Sequence, residues 1–261
     1  MNLTEEQIER YSRHIILQDV GGVGQEKILN SKVLIIGTGG LGAPAALYLA
    51  AAGVGTLGII DGDVVDVSNL QRQVIHFTPD VNKPKVISAK EKIEQINPDV
   101  KVNAIQDLFR ASNALDIIKD YDFIIDGTDN FPAKFLINDA CVKAQKPFSH
   151  GGILRFDGQT MTYVPGSASY RCVFDSPPPP NAVPTCSQAG VFGAIAGMLG
   201  TIQAAEALKY IIGKGDLLTN RLLIFDALKM NFRTVKVKAR PEKLKIDKLV
   251  DFDQAACELK Q

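Results

Sequence analysis

No excess of either charge is present: Lys plus Arg and Asp plus Glu each number 29 among 261 residues. General adhesion to nucleic acid or to an anionic membrane is thereby disfavoured, and any anion chemistry has to come from a local cluster. A secretory leader is missing too. Met1 to Gln7 is polar and acidic, with no basic region before an apolar run, which points to a cytoplasmic protein. The four cysteines, at positions 141, 172, 186 and 257, lack the spacing of a disulfide framework, so in that compartment they are free thiols, a metal ligand or a catalytic thiol. One apolar stretch, Val191 to Ile212, is long enough to raise the question of a membrane span. Gln203, Glu206 and Lys209 recur on one face of it and Gly193, Gly197 and Gly200 suit close packing, so it reads as a buried or dimer-interface helix. The length suits one large α/β domain, or such a domain with a small annex.

What is present is organised around Val33 to Arg72. A β-branched run breaks into Gly37, Gly39, Gly40 and Gly42 and then turns helical, the strand, turn and helix of a mononucleotide-binding fold with helix N–H groups aimed at a phosphate. A second strand, Thr56 to Ile60, leads to Asp61, placed about 20 residues beyond the glycines, where such folds put a ribose ligand. Asp63 and Asp66 crowd the same loop, and Ser68 to Gln73 follows. Upstream, an amphipathic helix is expected over Leu3 to Leu17, with Thr4 and Gln7 as a capping box and a turn at Gly21 to Gly24 after it.

Further on, a helix starts at Pro84 and runs to Ile96, with Lys85 at the electrostatically wrong end unless an anion binds there. Strands are expected at Val100 to Ile105 and Asp122 to Ile125, a short helix at Asn113 to Lys119 between them, and a helix at Phe131 to Ala144 capped by Asn130. A strand at Pro147 to His150, a turn at Gly151-Gly152 and a hairpin around Asp157-Gly158 close the alternating part. Residues 165–189, rich in proline, read as a mobile functional loop. Two more strands, Arg221 to Ala227 and Phe232 to Lys238, precede a charged tail, 241–261. The fold class expected is therefore a Rossmann-like doubly wound α/β sheet, parallel at first and continuing into antiparallel strands, with helices on both faces. It forms one domain over 1–240 with an N-terminal helical arm, 1–30.

Strand carboxyl ends form the ligand crevice of such a sheet, and Asp61, Asp126 and Asp129 all belong to that edge. A dinucleotide pyrophosphate is satisfied by backbone N–H groups, which leaves Arg72 and Lys85 as surplus cations that a triphosphate would use. A carboxylate at Asp129 beside phosphates is repulsive unless a cation bridges them, and Mg²⁺ takes one or two carboxylates plus phosphate oxygens. This constellation favours Mg·ATP. Capping alone would account for Asp126 equally well. His150 reads as a packed histidine and His76 is undistinguished.

The chain resembles the ThiF/MoeB/HesA family of adenylating enzymes, relatives of the ubiquitin-activating enzymes. The resemblance rests on Arg10 to Leu17, Gly37-Thr38-Gly39-Gly40-Leu41-Gly42, Asp61-Gly62-Asp63, Ser68 to Gln73, Lys83-Pro84-Lys85, Asp126 to Asn130, and Thr185 to Val191, in order along the chain. It implies ATP-dependent adenylation of the C-terminal glycine carboxylate of a small ubiquitin-like sulfur carrier ending in Gly-Gly, with release of pyrophosphate, in thiamine or molybdenum-cofactor biosynthesis. Gly39 and Gly40 would hold the nucleotide and Asp61 its ribose. Asn69, Arg72 and Lys85 would hold the phosphates and Asp129 the Mg²⁺; Asp63 and Gln73 fall within the same nucleotide-binding words. Arg13 would reach the γ-phosphate of the other subunit of a homodimer. A sulfurtransferase or cysteine desulfurase is the further partner implied.

Two departures stand out. Many members hold structural zinc with two Cys-x-x-Cys pairs; here the first pair would be Ser169 and Cys172, and Pro241 to Lys245 carries no cysteine, so no zinc is expected. Cys186 matches a cysteine that in some relatives bonds the carrier or relays sulfur, and the residues alone leave a simple loop thiol open. Two other readings are an NAD(P)-dependent Rossmann oxidoreductase, disfavoured by Arg72, Lys85 and Asp129, and an inactive carrier-binding scaffold.

Overall fold

The computed structural model describes residues 3–179 and 189–252. Three short helices come first: α1 (Glu5–Arg10), α2 (Ser12–Ile15) and α3 (Gly21–Asn30). Then β1 (Lys32–Ile36), α4 (Gly42–Ala52), β2 (Thr56–Ile60), α5 (Lys85–Ile96), β3 (Lys101–Ile105), α6 (Ala114–Ile118), β4 (Phe123–Asp126), α7 (Phe131–Lys143) and β5 (Phe148–Leu154) alternate. β6 (Asp157–Tyr163), α8 (Gly193–Ile212), β7 (Arg221–Asp226) and β8 (Asn231–Lys236) complete the chain.

The strands form one sheet in the order β3-β2-β1-β4-β5-β6-β7-β8. β3 through β5 run parallel, and β5 through β8 pair antiparallel. Alternate residues of the central strands enter two different cores. Val33, Ile35, Leu57, Ile59, Phe123 and Ile125 pack under α4, α5 and α8, whereas Leu34, Ile36, Ile60 and Ile124 pack under α6 and α7. A strand buried on both faces has to be apolar throughout, which is why these segments are unbroken aliphatic runs.

Three local expectations are corrected. The N-terminal arm is two helices rather than one, because Tyr11, between them, leaves the helical path at φ −100° and ψ 15° and turns its ring into the core against Gly53. Gly21 to Gly24 is not a turn but the start of α3, where a Cβ on Gly24 would stand 3.0 Å from Val20 Cγ1 and in ordinary contact, at 3.6 Å, with Ile212 Cγ2 of α8. Gly151-Gly152 does not reverse the chain either. β5 runs through both, because a Cβ on Gly151 would lie 2.7 Å from Gln203 Oε1, and glycine is what admits α8 over the sheet. The reversal comes at Arg155-Phe156, with Arg155 at φ 55°.

The proline-rich segment is packed at its start. Ser167, Ala168, Ser169 and Tyr170 are buried, and Tyr170–Cys172 forms a 3₁₀ turn. The tail likewise returns to the body, with Leu249 buried and the Phe252 ring 5.9 Å from that of Phe135.

Candidate active site

The glycine loop after β1 is built by close approach. Gly37 takes φ 89°, and a Cβ on Gly42 would stand 1.9 Å from Gly37 O, so the loop folds onto its own helix. A Cβ on Gly127 would stand 2.5 Å from the same oxygen, which stacks the turn after β4 directly on the loop. Asp61 ties the end of β2 to this loop: its Oδ2 accepts from Thr38 N at 2.8 Å and Thr38 Oγ1 at 3.0 Å, and its Oδ1 accepts from Asp63 N at 2.9 Å. A carboxylate offers about four acceptor positions, so capacity is left for a ligand hydroxyl.

Arg72 lies against Gly40, where a Cβ would be 3.6 Å from Arg72 Cγ, and donates to Ser68 O at 2.9 Å. Asn69 Oδ1 accepts from Asp66 N at 3.2 Å and closes the turn that carries it. Gln73 is buried beside Gly39, and its Oε1 has no hydrogen-bond partner among the described residues. A buried acceptor left open at the rim of a phosphate loop is a polar atom kept for a ligand or a water. Lys85, at the first position of α5, pairs its amine with Asp63 at 2.8 Å.

On the other side of the loop, Asp126 ends β4. It accepts from Thr128 N at 3.1 Å and Thr128 Oγ1 at 2.6 Å, pairs with Lys134 at 3.1 Å and meets His150 Nδ1 at 3.0 Å. Burial alone would raise its pKa, but the Lys134 charge and the His150 and Thr128 hydrogen bonds outweigh it and hold the carboxyl down at about 2. Burial lowers the pKa of His150, so the ring is neutral; its Nδ1–H donates to Asp126 and its Nε2 has no hydrogen-bond partner among the described residues. Asn130 caps α7 by accepting from Ala133 N at 2.9 Å. Between these anchors Asp129 is exposed, and among the described residues its carboxylate has no hydrogen bond or ion pair.

Gly39, Gly40, Asp61, Asp63, Asn69, Arg72, Gln73, Lys85 and Asp129 thus share one edge, the carboxyl ends of β1, β2 and β4. Arg13 is not with them. Tyr11 is pinned by Asn97 at 2.7 Å and packs on Gly53, the cap at the far end of α4, a helix whose 11 residues span about 16 Å from the glycine loop. Cys186 lies outside the described residues. Among the described residues no group of three or more His, Cys, Asp or Glu gathers to hold a metal. A cation at Asp129 would accordingly share one protein carboxylate with phosphate oxygens, a donor set that suits Mg²⁺ and not a dedicated protein cage.

Three contributors carry no signal in the sequence. His76, buried and kept neutral by burial, sits between Ser88 Oγ at 2.9 Å and Thr38 O at 3.2 Å, so its Nε2–H holds the glycine loop from behind. Lys134 and His150 act at the Asp126 turn. Nothing in a lone histidine or a helix-borne lysine announces such partners, which lie 38 and 24 positions away for His76 and His150. The segment where the family's zinc pairs would meet is bridged by charge: Arg171 forks onto Asp139 at 2.6 and 2.8 Å, and Asp175 meets both Arg240 and Lys243 at 2.8 Å.

Comparison with known proteins agrees with this fold. The ThiF family matches residues 11–246. A "Probable adenylyltransferase/sulfurtransferase MoeZ" of Mycobacterium tuberculosis is 48% identical over 97% of this chain, which spans 66% of that protein's length. A "Sulfur carrier protein adenylyltransferase" of Thermus thermophilus is 44% identical over 92% of this chain and 91% of its own. Among solved structures, E. coli MccB with AMPCPP and MccA superposes with a TM-score of 0.80 at 25% identity, over 92% of this chain and 74% of that one.

Proposed function

The chain belongs to the ThiF family of adenylating enzymes, and on that premise we propose that it adenylates the C-terminal glycine carboxylate of a ubiquitin-like sulfur carrier. The observation that carries the reading is the open Asp129 carboxylate beside a glycine loop flanked by Arg72 and Lys85. A carboxylate with no protein partner next to a phosphate cradle makes sense when a cation joins the two.

In the reaction a carrier carboxylate oxygen attacks the α-phosphorus, the bond from that phosphorus to the β-bridging oxygen breaks, and pyrophosphate leaves with the electron pair. The attacking carboxylate is ionised at neutral pH, so no general base is required and the work is alignment and charge neutralisation. The α4 N-terminus and the loop N–H groups receive phosphate oxygens. Asp61 orients the ribose, Gln73 and Asn69 complete the polar rim, and Arg72 and Lys85 take up the charge that grows on the leaving pyrophosphate. Lys85 exchanges the exposed Asp63 for a phosphate when ATP enters. Asp129 would hold a Mg²⁺ ion, which would supply charge neutralisation beside the phosphates.

Arg13, held away from its own crevice by Tyr11, serves the crevice of a second subunit in a homodimer. The terminal sulfur of a persulfide on a sulfurtransferase or cysteine desulfurase, or relayed through Cys186, then attacks the acyl carbon of the adenylate and AMP leaves with the electron pair of the broken C–O bond; the carrier decides whether thiamine or molybdenum cofactor is served. The site of action is the cytoplasm. Exchange of labelled pyrophosphate into ATP is the test: exchange should require a carrier ending in Gly-Gly, and its absence with every such carrier would overturn the reading.

A further inference from the structure

The metal ligand inferred above sits on a turn whose fixing is unusual. Residues 127–129 leave the end of β4 and enter α7 at Phe131. Asn130 secures the far end through its cap. The near end is secured by one buried ammonium: Lys134 Nζ meets both oxygens of Asp126 at 3.1 and 3.3 Å, donates to Thr128 O at 2.7 Å, and reaches across to Gly151 O on β5. Asp126 is in turn held by Thr128 and by His150, whose ring lies tilted against that of Tyr170 with centroids 4.4 Å apart. One cation therefore stitches the strand end, the turn and the neighbouring strand together, one residue away from Asp129. The turn it fixes also bears on the glycine loop through Gly127.

Position on its own helix explains none of this. Lys134 lies at the fourth residue of α7, the end of the dipole that disfavours a cation, and it is buried. A lysine in that place is tolerated because Asp126 neutralises it and two carbonyls take its remaining protons, so its whole donor capacity goes to shaping the turn.

We propose that Lys134, through Asp126 and with His150 behind it, is a positioning residue that fixes the orientation of Asp129 toward the metal-bound triphosphate. The proposal rests on Asp129 being the metal ligand. Neither Lys134 nor His150 touches substrate; both act through the turn. Outer partners of a metal ligand are worth about 10- to 100-fold in metal affinity when removed, and that range is the size of effect expected.

The probe is Mn²⁺ binding to the full chain with ATP held below the protein concentration, followed by the protein-dependent enhancement of water proton relaxation over that of Mn·ATP alone, alongside ATP binding measured in EDTA. Lys134→Met should weaken Mn²⁺ by about 10-fold or more while ATP binding in EDTA changes little, a split that a general loss of structure would not produce. Thr128→Val is the second variant, since it removes only the hydroxyl that Asp126 accepts at 2.6 Å and keeps the side-chain shape. It should weaken Mn²⁺ in the same assay, and it decides the matter by itself if Lys134→Met does not fold. Wild-type affinity for Mn²⁺ in the folded variants overturns the positioning role. If the wild type itself binds no Mn²⁺ with ATP, the metal assignment of Asp129 falls and the proposal with it. Absence of carrier-dependent exchange in an enzyme that does bind Mn²⁺ and ATP would instead strike at the adenylation reading alone.

Discussion

Two lysines at one sheet edge are buried almost equally, with 8% of the Lys85 side chain and 7% of the Lys134 side chain exposed, yet the carboxylates they pair with are opposites. Asp63, the partner on the β2 side, is 67% exposed, while Asp126, on the β4 side, is 1% exposed. An exposed carboxylate can be released to water at little cost. A buried one cannot lose its cation without a large penalty. The β2 side of the crevice therefore presents a charge free to change partners, suited to a phosphate that comes and goes. The β4 side presents a fixed frame around a carboxylate, Asp129, that has no partner among the described residues.

Breaking each lysine in turn sharpens that contrast. Lys85→Met should lower the rate of adenylation by about a hundredfold or more, since it removes a charge aimed at the developing pyrophosphate. Its thermal midpoint should stay near that of the wild type, because Asp63 is left in water. Lys134→Met should behave the other way in a urea titration, losing about 3–5 kcal/mol of stability because a buried carboxylate is left uncompensated. A Lys85 variant that unfolds, or a Lys134 variant as stable as the wild type, would erase the distinction.

A smaller effect follows from acid. Asp126 titrates at about 2 in the fold against an ordinary value of 3.8. Between those values the unfolded chain binds the proton that the folded chain refuses, so the stability Asp126 contributes is complete above about pH 4 and is lost as the pH falls toward 2. Urea midpoints taken across that window should drop in the wild type. In Lys134→Met, where the carboxyl loses its largest lowering influence, the drop should begin at higher pH.

Much of the parallel half is legible in the sequence because burial on both faces forces β1, β2 and β4 to be apolar runs and the glycines to sit where backbones collide. No such constraint acts in the antiparallel half, where β8 is exposed along its whole length and Gly151 answers to Gln203 on α8, a contact 52 residues away that no local pattern encodes. The site divides in the same manner. Arg72, Lys85 and Asp129 are charges in short words and can be read directly. Lys134, His150 and His76 earn their roles from partners brought together by the sheet, and as isolated residues they look like ordinary packing. Arg13 is the converse case, a residue legible by resemblance that the single chain holds on the far side of α4.

Transfer of an adenylyl group to the carrier, followed by intact-protein mass spectrometry, bears most directly on the crevice as the seat of chemistry. The wild type should add one adenylyl group to a carrier ending in Gly-Gly. Asp129→Ala and Arg13→Ala should each add none, and the two mixed under subunit exchange should recover part of the activity. Adenylation by Asp129→Ala at the wild-type rate would contradict the account.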